Sequence, residues 1–103
     1  MTPDEPALIE RAKRGDREAM DLLVGLHLSR VTKFAVLMGV RDADEVAQET
    51  VAEMLQSLGS FQGRSRFSSW LISIAVNMCR KWHRTHRISS RNAARETARR
   101  AAA

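Results

Sequence analysis

The chain contains a single cysteine, Cys79, so no disulfide can close within it, which agrees with a reducing compartment. Prolines are scarce too, with only Pro3 and Pro6. Beside 44% hydrophobic and 28% charged residues, that scarcity suits a soluble helical protein better than a disordered one. No apolar run approaches the roughly 20 residues needed to cross a bilayer. The start, MTPDEPALIERAK, is acidic where a signal peptide would be basic and then apolar. A cytoplasmic protein with no membrane partner is expected. No Gly-rich phosphate loop with its lysine occurs, no nucleophile is paired with a base, and no carboxylate cluster stands ready for magnesium. Neither an enzyme nor a cofactor is expected.

Two further absences divide the charge. No acidic residue occurs between Glu53 and Glu96, an interval that holds Arg64, Arg66, Arg80, Lys81, Arg84, Arg87, Arg91 and Arg95. No lysine or arginine occurs from Asp42 to Gln56, which holds Asp42, Asp44, Glu45, Glu49 and Glu53. The basic stretch calls for a polyanion. The acidic one would be repelled by the same partner, so it more naturally faces a basic protein surface. The overall charge of +5 and pI near 10.6 carry less information than this distribution.

Hydrophobic periodicity predicts an all-α fold, a small bundle of three long helices plus a short N-terminal helix. After a lead over 1–7, Leu8, Ile9 and Ala12 mark the short helix, which stops at Gly15. Asp16 can cap the next helix, whose buried face reads Met20, Leu23, Val24, His27, Val31, Phe34, Ala35 and Met38, closed by Gly39. Asp42 followed by Glu45 resembles a capping box for a third helix. That helix should bury Val46, Thr50, Val51, Met54, Leu55 and Leu58 and expose Glu45, Gln48, Glu49, Ala52, Glu53 and Gln56. A glycine- and serine-containing loop follows, with Ser65 or Ser68 as candidate cap. The fourth helix should bury Trp70, Leu71, Ile74, Ala75, Met78 and Trp82, while Ser73, Asn77, Arg80, Arg84 and Arg87 rise along another face. From about Ser89 no large apolar residue remains, so 89–103 reads as a linker or tail.

The succession of Gly15, Asp16 and Ala19, then DADEVAQETV, then FQGRSRFSSWLISIAVN and a basic run resembles the second conserved region of bacterial RNA polymerase sigma factors, in particular the extracytoplasmic-function (ECF) group. The similarity runs from about Leu8 to Arg87, and 8–88 is taken as that domain. There are departures. Val51 and Leu55 stand where large aromatics are usual, and Arg64 lies in a loop that often carries an acid. Such factors also carry a helix-turn-helix domain for the upstream promoter element, which this sequence is expected to lack.

The resemblance implies a transcription initiation factor domain. It would bind core RNA polymerase and melt the minus-ten promoter element by capturing non-template bases. The implied capture loop is Phe61, Gln62, Gly63, Arg64, Ser65 and Arg66. Chemically, that loop offers a flexible backbone at Gly63, polar side chains and two cations. Asn77 can both donate to and accept from a base edge. Ser73 shares its face, while Arg80, Lys81, Arg84 and Arg87 suit phosphates and so set register. By resemblance, Asp42, Asp44, Glu45, Gln48, Glu49, Ala52 and Glu53 would dock on the clamp coiled coil of the polymerase largest subunit. A sigma-like module bound by an anti-sigma factor, without productive DNA contact, is the alternative.

Each feature has a plainer reading. Asp42 and Glu45 can serve only as caps, and a basic face can serve only solubility. Phe67 and Trp70 read as core, Phe61 as core or base-stacking group, Trp82 as partly exposed, and His27 as a partly covered residue without chemistry. Cys79, His83 and His86 have the spacing of metal ligands along one helix, but a structural zinc takes a fourth ligand and none is signposted.

Overall fold

The structure is a computed structural model that describes residues 4–102; the side chains of 87–97 and of Arg100 lie outside that description. Helix α1 spans Glu5–Lys13, α2 Arg17–Leu37, α3 Ala43–Gln56 and α4 Phe67–Ala102, with one 3-10 turn at Leu58–Ser60 before the loop into α4. The expected all-α architecture is the one found. The first helix begins at Glu5, earlier than the apolar pattern suggested, because Pro6 fits the first helical turn, where its missing N–H is no loss. The last helix runs through the stretch expected as a linker or tail.

Local chemistry sets most boundaries. Asp16 caps α2 by accepting from the Ala19 amide, and its carboxyl is held below its ordinary value by Arg11 and then by that amide. Gly15 and Gly39 both take positive φ and end helices, with the Asp16 and Val40 amides reaching back to the carbonyls of Arg11 and Ala35. Met38, expected on the buried face of α2, is 37% exposed. It sits at the C-cap, where the chain has already begun to turn at Gly39. Ser65 does not cap α4; its hydroxyl donates to the Arg66 carbonyl.

One core joins Leu8, Leu23, Val31, Val51, Met54, Phe61, Phe67 and Leu71 from all four helices and the loop. A smaller one gathers Ala35, Val40, Val46 and Cys79. Helix α3 packs on α4 and α2 packs on both, and the exposed faces of α3 and α4 carry charges of opposite sign. No described helix is long and apolar enough to cross a membrane.

Candidate nucleic-acid interface

The loop over residues 61–66 reverses at Gly63, where φ is +72°, a conformation that glycine adopts without the clash a Cβ would bring. Its start is pinned from the far end of the chain. Lys13 Nζ donates to the Phe61 carbonyl at 2.6 Å and lies 5.7 Å from the centre of the Phe61 ring. Phe61, only 9% exposed, meets Phe67 edge-on at 5.3 Å and Trp70 at 5.3 Å. Phe61 and Phe67 make an apolar floor, with Trp70 packed against both, so Phe61 belongs to the core while still bordering open space.

That space is a cavity of about 580 Å³ between the loop, α1 and α2. Gln62, Gly63, Ser65 and Arg66 line it from the loop, and Glu5, Lys13, His27 and Arg30 from the helices. Its size falls in the range of small-molecule sites, so a nucleobase can be accommodated. Arg64 is exposed beside it without forming its wall.

The helical side of this cavity was not foreseen. His27 is fully covered at 3% exposure and has a definite bond: its Nε2 meets Glu5 Oε1 at 3.0 Å across 22 residues of sequence. Its Nδ1 is buried without a partner, and the ring packs on Phe67 at 5.2 Å. The tautomer that leaves a bare lone pair at Nδ1, and an N–H toward Glu5, avoids burying an unpaired donor. This pair anchors the first turn of α1 over the cavity. The only sequence signal was the place of His27 on the buried stripe.

Along α4, Ser73, Asn77, Arg80, Lys81 and Arg84 are all exposed, whereas the Arg87 side chain lies outside the described residues. Ser73 Oγ donates to the Trp70 carbonyl at 2.5 Å. Among the described residues, Arg64, Arg66, Arg80, Lys81 and Arg84 form no ion pair with a carboxylate of the fold, so their charges are available to an outside anion.

On α3, Asp44, Glu45, Gln48, Glu49 and Ala52 are exposed. Glu53 is half-buried and accepts from Ser57 Oγ at 2.7 Å. Asp42 departs from expectation because its side chain makes no cap. It accepts instead from Trp82 Nε1 at 3.0 Å, with Arg41 at 3.4 Å, and hydrogen bonds from Arg41 and then Trp82 hold its carboxyl below the usual range. Capping would need the carboxylate to fold back over its own helix, whereas an indole N–H and a guanidinium lie in front of it. Half-buried Trp82 stacks on His86 at 4.0 Å, so this cluster ties the start of α3 to α4. The three spaced ligand candidates go separate ways. Cys79 is buried, His83 Nε2 bonds the Met38 carbonyl at 2.6 Å, and His86 Nδ1 bonds the Trp82 carbonyl at 2.9 Å.

Comparison with known proteins gives a consistent result. Residues 23–88 match the family described as Sigma-70 region 2. The chain is 39% identical over 72 residues to the RNA polymerase sigma-H factor of Pseudomonas aeruginosa, covering 68% of this chain and 37% of that protein. It is 35% identical over 79 residues to the ECF RNA polymerase sigma-E factor of Haemophilus influenzae, covering 76% and 42%. The chain thus spans about two fifths of the length of these curated relatives. A solved structure described as an engineered region 2 of sigmaE in complex with GTAAAA is similar at a TM-score of 0.72 and 30% identity, covering 80% of this chain and 90% of that one.

Proposed function

The chain belongs to the sigma-70 region 2 family, and on that footing we propose that it is a transcription-initiation domain that binds core RNA polymerase and recognises and melts the minus-ten promoter element. The observation that carries this reading is the open cavity at the 61–66 loop, placed at the start of the helix whose exposed face bears Asn77, Arg80 and Arg84. Melting without fuel requires that unpaired bases be held more strongly than the duplex holds them. Unstacking costs a few kcal/mol per base, and an aromatic or apolar pocket returns about 1–3 kcal/mol per base. The floor of Phe61 and Phe67, the polar rim of Gln62 and Ser65, and the unpaired cations beside them supply that balance. The similar engineered region 2 is described in complex with GTAAAA, and the cavity and exposed cations of this chain suit a ligand of that kind.

Roles divide by chemistry. The cavity takes an extruded non-template base, Asn77 reads a neighbouring base edge, and Arg80, Lys81 and Arg84 hold phosphates. The exposed carboxylates Asp44, Glu45 and Glu49 form the surface for the basic partner, the clamp coiled coil of the polymerase largest subunit. Complementary charge there speeds encounter and fixes orientation. Cytoplasmic location follows from this role.

The test is titration with labelled GTAAAA and with oligonucleotides bearing each other base at every position. Affinity should depend on base identity at one or two positions. Asn77→Ala should flatten the preference at one of them, whereas Arg84→Gln should weaken all sequences alike. Equal affinity for every oligonucleotide would sink the base-capture assignment. For the acidic face, Glu49→Lys should reduce binding to core polymerase, and unchanged binding removes that surface from the proposal.

A further inference from the structure

The loop that walls the cavity has few ties of its own. Gln62, Gly63, Arg64, Ser65 and Arg66 are all exposed, and among the described residues no amide or carbonyl of Gln62, Gly63 or Arg64 bonds another part of the fold. The chain leaves the 3-10 turn at Phe61 with φ −73° and ψ 117°, an extended conformation that takes the Phe61 carbonyl out of the helical pattern of bonding. Its donor comes from the first helix. Lys13 Nζ, 48 residues away in sequence, reaches it at 2.6 Å. Lys13 is the last residue of α1, and its side chain is only 24% exposed, with the ammonium 3.8 Å from Glu10 and 5.7 Å from the centre of the Phe61 ring. A lysine at a helix C-terminus suits the helix dipole wherever its long side chain points. Holding that side chain in one covered conformation costs rotamer freedom that a solvated lysine would keep. Helix α1 is itself seated on α2 and on the 3-10 turn, so the tether joins the loop to a fixed body.

We propose that Lys13 is a positioning residue for base capture: by holding the Phe61 carbonyl it fixes the entry of the 61–66 loop and keeps the cavity in the shape that takes an unpaired base. This rests on the base-capture reading and adds to it a residue from outside the loop and α4. A hydrogen bond from an ammonium is stronger than one between neutral groups, which suits a single point of attachment. Gly63 lets the chain reverse at φ +72°, but glycine also brings more backbone freedom than any other residue, so a loop that turns on it gains from an outside tether. A loop free to leave its binding shape holds its ligand more weakly in proportion to the time it spends elsewhere. The Lys13 ammonium is already engaged by Phe61 and Glu10, so its task is to hold the loop and not the strand.

Lys13→Met removes the donor while keeping the unbranched stem and a good helix former, so the fold is retained. With the full chain and a single-stranded GTAAAA oligonucleotide, its affinity should fall about tenfold, the low end of what losing a hydrogen bond to a charged group produces. Lys13→Arg restores a cationic donor and should bind within about threefold of the parent. Lys33→Met, which removes an equal charge from the exposed face of α2, should bind like the parent. The loss should reside in the cavity. A strand with an abasic site at the position of strongest base preference does not fill it, so the parent and Lys13→Met should bind that strand alike. The slope of log affinity against log salt should also be unchanged, because no phosphate contact is lost. In the free protein, NMR order parameters of the amides over 62–65 should drop in Lys13→Met and recover in Lys13→Arg. Unchanged GTAAAA affinity in Lys13→Met overturns the inference, as does an equal loss on the abasic strand or a slope shallower by about 0.7, the share of one phosphate contact on a single strand. Equal affinity of the parent for every base at every position would overturn base capture instead, and the order parameters would still show whether Lys13 fixes the loop.

Discussion

Replacing Gly63 with alanine isolates the backbone geometry on which the cavity rim depends. Gly63 has φ +72°, and a Cβ built there meets no heavy atom within 4 Å. The substitution therefore adds no collision with neighbouring residues. What remains is the local cost of placing an L-residue in the left-handed region, about 1–2 kcal/mol, partly offset because alanine also restricts the unfolded chain. A net loss of about 1 kcal/mol is expected, which for a domain of this size lowers the melting temperature by about 4–8 °C. Urea unfolding followed by the fluorescence of Trp70, whose ring lies 5.3 Å from Phe61, reads the change where it occurs. The loop can escape the strain by shifting, and then stability changes little while binding of GTAAAA weakens. Gly59→Ala is the control, because that position also has open space but no positive φ, and it should alter stability by no more than about 0.5 kcal/mol. Identical behaviour of the two variants in both assays would refute the backbone argument.

Other expectations rest on burial and charge. Leu23→Ala, at a fully covered core position, should cost about 3 kcal/mol in urea unfolding, whereas Leu37→Ala, at 85% exposure, should stay within about 0.5 kcal/mol. Comparable losses would mean the core is misplaced. Asp16 and Asp42 both titrate below the ordinary 3.8 when folded, so their contribution is complete above that value and disappears as pH falls through the lowered folded values. Stability should thus hold from neutrality to about pH 5 and fall below about pH 4, and D16N/D42N should flatten that fall; an unchanged acid limb contradicts the assignment. Cys79 is wholly covered and burial pushes its thiol up, so Ellman's reagent should react far more slowly with the native protein than in urea. Equal rates would place it at the surface.

Features governed by neighbours along the chain are legible in the sequence itself. The Asp16 cap, the breaks at Gly15 and Gly39, the covered row of Val46, Thr50, Val51 and Met54, and the exposure of Asn77, Arg80 and Arg84 all follow from helical period and end chemistry. Asp42 shows where that reasoning stops. Its spacing to Glu45 suits a cap, but a carboxylate bonds whichever donor lies nearest in space, and Trp82 reaches it from 40 residues away.

Sequence alone determined the helices, their breaks, the separation of acidic from basic faces and the resemblance to a family, because each is written in residues within a few positions of one another. Tertiary packing alone decided that the first helix helps to build the cavity. His27 meets Glu5 across 22 residues, and Lys13 holds Phe61 across 48. Those pairings depend on how helices cross and how the loop returns, and no periodicity records the angle between two helices.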